Sequence, residues 1–251
     1  MANIDLNCDL GEDSAAESQA RDIKIMDVVS SVNIACGGHA GDEFSMAYMM
    51  KEAAKRGVAI GAHPSFPDTQ NFGRKEMIMT SDQLSSAIIS QLEIFADIAH
   101  AQNIVVRHVK PHGALYNIAA RNAEISHIIC AAVAEIFPNI NYYGLAGSQC
   151  RGIAAQYGLK YIDEAFADRR YNQDKSLVQR SEPDAILHDV PEQSIQALNM
   201  ALGRPILDKN GADLTINAQS LCLHSDSNDA LKSAQAIYQI LQENGISIQP
   251  I

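Results

Sequence analysis

Short strand-like runs alternate with helix-length segments along the whole chain, and no other feature of the sequence limits its fold as tightly. The runs occupy 2–8, 32–38, 58–64, 105–110, 140–146, 160–166 and 214–226. Segments of helical character lie at 22–31, 42–57, 81–102, 123–136, 148–157, 192–202 and 229–244. Thr80 and Gln83 form a capping pair before the longest of these, and Gly57 is a natural stop. Such alternation implies a mostly parallel sheet with helices outside it, because a helix supplies the long crossover that parallel neighbours need. Seven such units fit an α/β fold of the irregular (β/α) barrel type better than a doubly wound sheet. No Gly/Ser-rich linker, low-complexity tract or internal repeat interrupts residues 1–251, so one barrel domain is expected.

Lys and Arg number 19 against 30 Asp and Glu, a net charge of −11. A surface of that sign repels phosphate backbones and anionic lipid, so no nucleic acid and no membrane is expected as a partner. A small anion in one basic pocket remains compatible. Cys8, Cys36, Cys130, Cys150 and Cys222 are odd in number and never form Cys-x-x-Cys. Reduced thiols in the cytoplasm fit that usage better than disulfides or a structural zinc site. No signal-peptide pattern opens the chain, and no apolar run approaches the roughly 18 residues a bilayer requires.

In a β/α barrel the reacting groups sit where strands end and βα-loops begin. The strand ends here carry Asp9 with Glu12, His39, His63, His108 with Lys110 and His112, Asp163 with Glu164, and His224 with Asp226. In "VVRHVKPHGALYN", His108 and Lys110 share one face of a strand, and His112 continues it if the chain stays extended. His100 and His127 lie inside helical segments and read as surface or capping residues. His39 in "CGGHAGD" and His63 in "GAHPSFPD" are flanked by Gly or Pro, as residues beside a ligand often are. Asp9 and Glu12 either cap the following segment or, with Asn7, form a base or hydrogen-bonding clamp. Arg169 and Arg170 of "ADRRY" belong to a solvated loop or grip a carboxylate, with Arg74 as a further candidate. Burial should disfavour the charge of Lys110. The residue then donates a proton, stabilises an oxyanion, or sits in a buried pair with Asp9 or Glu164. Phosphate-loop, dinucleotide-turn, nucleophile-elbow and His-Glu-x-x-His motifs are absent, so no ATP site is recognisable in the chain.

Five blocks, "DLNCDLGE" (5–12), "NIACGGHAGD" (33–42), "GVAIGAHPSFPD" (57–68) with "FGR" (72–74), "HVKPHGALYN" (108–117) and "EAFADRRY" (164–171), resemble the LamB/YcsF family in its own order. Weaker similarity continues through "LVQR" (177–180) to "LCLHSD" (221–226). Departures are Gly38 for the usual Phe, Lys175 for a usual loop Gly, Ser225 for a usual Gly, and Asp13-Ser14 for an aromatic-Gly pair. The resemblance implies a TIM-like barrel related to glycoside hydrolases and carbohydrate deacetylases. It also implies a role within an ATP-dependent 5-oxoprolinase, which opens 5-oxo-L-proline to L-glutamate with two partner subunits resembling allophanate hydrolase halves. Under it Asp9, Glu12, His39, His63, Lys110 and His112 are the expected catalytic set. Asn7, Arg74, Glu164, Asp168, Arg169, Arg170 and His224 are the expected substrate-binding set, with ATP used by the complex. Two other readings stand beside it: a stand-alone hydrolase holding a divalent metal at Asp9, His39 and His63, and a non-catalytic protein whose His/Lys cluster holds an anion within the complex.

Overall fold

Asp5, Asn7 and Asp9 alternate with Leu6, Cys8 and Leu10 along the first strand, β1 (Asn3–Leu10), and all six side chains are buried. Alternate residues of a strand point to opposite faces, so β1 is covered on both sides, with a polar face and an apolar one. The computed structural model, which describes residues 3–225 and 229–251, shows what covers them. After β1 follow β2 (Ser31–Ala35), β3 (Ala59–His63), β4 (Val106–Val109), β5 (Asn141–Leu145) and β6 (Lys160–Phe166), each paired in parallel with its predecessor. A two-stranded antiparallel hairpin, β7 (Ile206–Leu207) with β8 (Asp213–Leu214), stands apart. The next strand, β9 (Ser220–His224), pairs in parallel with both β6 and β1 and closes a seven-stranded barrel. A short β10 (Ser247–Ile248) adds to the start of β1.

The apolar faces of the strands meet the helices. Helix α2 (Glu43–Arg56) follows α1 (Ala16–Ile25) and turns Met46, Met49, Met50 and Ala53 inward at helical spacing. It begins in a capping box of Asp42 with Ser45 and stops at Gly57, whose φ of +69° suits a residue without Cβ. The longest helix, α3 (Ser81–Ala101), starts in the expected Thr80–Gln83 capping box and buries Leu84, Ile88, Leu92, Phe95 and Ala99. Each large side chain so buried contributes about 1.5–3 kcal/mol. Helix α4 (Gly113–Arg121) begins directly after His112, with Gly113 at φ +53° and its backbone packed on Gly73. Helices α5 (Ala123–Ile136) and α6 (Cys150–Gln156) occupy the expected segments, as do α7 (Val190–Ala201) and α8 (Ala230–Glu243). Among the described residues no helix is long and apolar enough to cross a membrane.

Three local expectations change. The first helix starts earlier, at Ala16, and overlaps the expected 22–31 only as far as Ile25, because the chain must turn at 26–30 to bring Ser30 onto β1, where its hydroxyl bonds Leu6 and Asp5. The run 214–226 is not one strand: only Ser220–His224 joins the barrel, and Leu214 belongs to the hairpin. Helix α4 is an additional element, which the sequence pattern does not single out. Asp226 lies outside the described residues.

Candidate active site

The polar faces of the strands fill the barrel in layers. Deepest, Asp5 accepts hydrogen bonds from Ser30 at 2.7 Å and Tyr143 at 3.0 Å, and from Ser31 and Ser220. Burial raises its pKa above the usual carboxylate range despite those donors. One layer up, Asn33 ties three strands together. Its amide donates to Asn7 Oδ1 at 2.7 Å and Asp9 Oδ1 at 2.8 Å, and its carbonyl accepts from His108 Nε2 at 2.7 Å. His108 stacks on Tyr143 with ring centroids 4.3 Å apart and lies against Gly61, where an added Cβ would stand 2.1 Å from its ring. Burial and the neighbouring Lys110 push its pKa down to about 3, so it is a neutral spacer inside the barrel rather than a group at the mouth.

Lys110 is the centre of the next layer. Its ammonium donates to Asp9 Oδ1 at 2.8 Å, lies 3.1 Å from Glu164 Oε1, and contacts Asn7 Oδ1 and Cys222 Sγ. Asn7 Nδ2 also donates to Glu164 at 2.8 Å. Burial opposes the charge, as the sequence suggests, but the Asp9 and Glu164 carboxylates outweigh it and hold the Lys110 pKa well above its ordinary value. The expectation of a disfavoured ammonium is therefore overturned: at neutral pH this group is a fixed positive charge and no proton donor. Burial raises the pKa of Glu164, with Lys110 acting against the rise.

At the mouth, where β1, β2, β3 and β4 end, Asp9, Glu12, His39, His63 and His112 converge. His63 Nε2 lies 3.3 Å from Asp9 Oδ2 and 3.0 Å from His112 Nδ1. Glu12 Oε1 is 2.9 Å from His39 Nε2 and 3.2 Å from His112 Nδ1. The rings of His39 and His112 stack at 3.6 Å, and His39 Nδ1 is buried without a hydrogen-bond partner among the described residues. Burial works against ionising Asp9 and Glu12, yet both stay well below the usual carboxylate range. Asp9 is held there by His63, Lys110 and His224, and Glu12 by His112 and His39. Burial and His39 lower the His112 pKa to about 4. On the β9 side, His224 Nδ1 meets Asp168 Oδ2 at 2.6 Å and its Nε2 points towards Asp9 Oδ2, 4.0 Å away. Burial notwithstanding, His224 holds the Asp168 pKa down to about 2.

Among the described residues, three groupings offer donor atoms close enough for one metal ion: Asp9 with His63 and His112, Asp9 with Cys222 and His224, and Glu12 with His39 and His112. The anticipated set of Asp9, His39 and His63 is not among them, because His39 turns its nitrogen to Glu12 instead.

The arginines separate. Arg169 is buried and spends its guanidinium on backbone carbonyls, donating to Val178 at 2.6 Å and Ala185 at 3.4 Å. Desolvation and Arg180 lower its pKa to about 10. Arg170 is not brought to the site, for it pairs with Glu192 at 2.9 Å on the outer side. Asp163 is likewise turned away from the barrel onto Arg151, one residue out of phase with Glu164. Arg74 lies over the Phe72 ring at 4.8 Å and lines a cavity of about 1140 Å³ with Arg169, Arg180 and Lys175. That cavity shares no side chain with the His–carboxylate cluster, but its wall includes Gly113 and Arg169, the residues directly after His112 and Asp168. Participants outside the expected set include Asn33, Cys222, Ser220 and the Phe72 carbonyl, besides Asp5 and its other hydroxyl partners. Asn33 and Ser220 are detectable as polar residues in phase with the barrel-facing positions of their strands. Cys222 is in the same phase, between Ser220 and His224, but a thiol reads as a core residue, and the carbonyl carries no side-chain signal.

Seven parallel strands closed into a barrel, with carboxylates, imidazoles and a lysine at the strands' C-terminal ends, define the class: an α/β barrel of the TIM-like type. The chain belongs to the LamB/YcsF family, whose model matches residues 4–251. It is 42% identical over 249 residues to the A component of 5-oxoprolinase from Geobacillus kaustophilus, covering 99% of this chain and 97% of that protein. The crystal structure of the lactam utilization protein from Thermus thermophilus superposes with a TM-score of 0.91 at 33% identity, over 99% of this chain and 100% of that one. A family 4 carbohydrate esterase from Streptomyces lividans shares the fold at a TM-score of 0.53 and 13% identity, covering 100% of this chain and 93% of the other.

Proposed function

We propose that this chain is the lactam-handling component of a cytoplasmic, ATP-dependent 5-oxoprolinase that opens 5-oxo-L-proline to L-glutamate. The 42% identity to the Geobacillus 5-oxoprolinase component supports this reading. So does one structural observation: Asp9, Glu12, His63, His112 and the His224–Asp168 pair face one mouth over the charge of Lys110. A five-membered lactam is an amide with little ring strain, so it needs activation, a base for water, and a proton for the departing nitrogen.

Two partner subunits, resembling the halves of allophanate hydrolase, transfer the γ-phosphoryl group of ATP to the lactam oxygen, consistent with the lack of a nucleotide motif here. Water then adds to the carbonyl carbon. The C–N bond breaks as its nitrogen takes a proton, leaving an acyl phosphate that a second water hydrolyses to glutamate and phosphate. His224, oriented by Asp168, moves the proton, a step typically worth about 10²–10⁴ in rate. Asp9 and Glu12, held ionised by their cationic and imidazole neighbours, orient the imidazoles. Lys110 stabilises negative charge that develops above it, as a fixed charge in a water-poor site does best. Arg74, in the wall of the adjoining cavity, attracts the substrate carboxylate.

The test is to incubate the chain with 5-oxoproline and ATP, with and without candidate partner subunits, and to measure glutamate. Glutamate formed only in the complete mixture and lost with His224→Gln supports the reading. Full activity after alanine replacement throughout the cluster, with assembly intact, would instead make this an anion-holding protein without a catalytic part.

A further inference from the structure

His63 Nδ1 lies 2.6 Å from the carbonyl of Lys110, and His112 Nε2 lies 2.9 Å from the carbonyl of Phe72. A carbonyl oxygen only accepts, so each of these ring nitrogens must carry the hydrogen. In the neutral rings the remaining nitrogens, His63 Nε2 and His112 Nδ1, are then bare lone pairs. They face each other at 3.0 Å. Two carboxylate oxygens close the same space, Asp9 Oδ2 at 3.3 Å from His63 Nε2 and Glu12 Oε1 at 3.2 Å from His112 Nδ1. Four atoms able to offer electron pairs thus converge on one space.

We propose that this is a binding site for one divalent transition-metal ion, held by Asp9 Oδ2, His63 Nε2 and His112 Nδ1 with Glu12 beside them. Ions such as zinc bind nitrogen and oxygen tetrahedrally at about 2.0–2.2 Å, which places neighbouring donor atoms roughly 3.3–3.6 Å apart; here His63 Nε2 stands 3.3 Å from Asp9 Oδ2 and 3.0 Å from His112 Nδ1, and the three donor atoms lie within 4.8 Å of one another. Each of these residues also has the outer partner that ligands need. Backbone carbonyls fix both imidazoles. Asn33 and Lys110 occupy Asp9 Oδ1 and leave Oδ2 directed inward, and His39 Nε2 meets Glu12 at 2.9 Å. Imidazole with carboxylate suits first-row transition ions better than calcium or magnesium. The rival grouping through Cys222 is weaker, since burial and Asp9 raise that thiol well above its usual pKa and its sulfur is spent on Lys110 Nζ at 2.9 Å. Bound there, such an ion would act as a Lewis acid at the mouth of the barrel.

The site is assigned independently of the proposed substrate, and its test uses neither substrate, ATP nor partners. The full chain, stripped with a chelator and dialysed, is titrated calorimetrically with Zn²⁺ and separately loaded with Co²⁺ for visible absorption and X-ray absorption spectroscopy. The expected result is one equivalent per chain, an affinity reduced at least about 100-fold in His63→Ala and in His112→Ala, and no change in His100→Ala. Should either alanine variant fail to fold by circular dichroism, the spectra of the unaltered chain decide alone. A nitrogen/oxygen shell with imidazole scattering supports the site, and a sulfur ligand or no stoichiometric binding overturns it. Loss of lactam turnover with metal binding intact would sink the proposed function and leave the metal site standing.

Discussion

The Lys110 ammonium and the Asp9 carboxylate, 101 positions apart in the chain, meet at 2.8 Å inside the barrel with almost no solvent contact. Glu164 shares the same ammonium at 3.1 Å. Such a buried cluster is costly to assemble and more costly to break, because removing one partner strands the others in a medium that solvates charge poorly. Replacing Lys110 with Met should destabilise the protein by about 3–5 kcal/mol in urea denaturation and abolish glutamate formation by the reconstituted complex. Full stability in the variant would show that the two carboxylates are not held by this charge.

Glu12→Gln retains shape but removes the charge that meets His39 and His112. Turnover should fall by at least about 10²-fold with the circular dichroism spectrum unchanged. Near-normal turnover would exclude Glu12 from the reaction.

His224 and Asp168 should act as one unit. Asp168→Asn and His224→Gln are each expected to slow turnover by about 10²–10⁴, and the double variant should be no slower than the worse single one. Additive losses would mean that the two residues work separately.

Asp22 gives the stability a pH dependence of its own. Burial raises its pKa to about 6, although the Gly11 N–H at 3.0 Å favours the ionised form. A carboxyl with a raised folded-state pKa is most favourable when protonated. Its contribution is complete below the unfolded value near 3.8 and is lost as pH climbs through about 6. Stability should therefore drop by up to about 3 kcal/mol from this group between pH 4 and 7, and Asp22→Asn should flatten that part of the profile. An unchanged slope in the variant would assign the dependence to other groups.

Lys175, one of the positions where the resemblance implies a glycine, has a φ of +69°, in the left-handed region. A side chain there is strained by about 1–2 kcal/mol, part of which glycine forfeits through its greater freedom when unfolded. Lys175→Gly is expected to stabilise the protein by about 0.5–1 kcal/mol, read as a rise in Tm. A lower Tm would point to a contact of the lysine that outweighs the strain.

Gly38 shows how such departures are absorbed. A Cβ there would lie 2.3 Å from Gln91 Oε1 and 2.5 Å from Ser65 Oγ. Gln91 bonds both the N–H and the carbonyl of Ser65, at 3.0 and 2.9 Å, and so fills the space beside a residue without a side chain.

Whatever depends on near neighbours is legible in the chain alone. Alternation of strands and helices, the Thr80–Gln83 cap and the Gly57 stop are local, and local sterics and hydrogen bonds set them. The candidate residues can be named too, because strand ends and a period of two mark them. That period places Glu164 inward and turns Asp163, one step away, outward. Which groups touch was decided only by barrel closure. Pairing β9 with both β6 and β1 sets His224 opposite Asp9, and it brings Lys110 between Asp9 and Glu164. That proximity turned a lysine whose charge burial should disfavour into a permanent cation, and it gave His39 to Glu12 rather than to Asp9. Electrostatic energy depends on distance through space and on exclusion of water, neither of which is written along the chain.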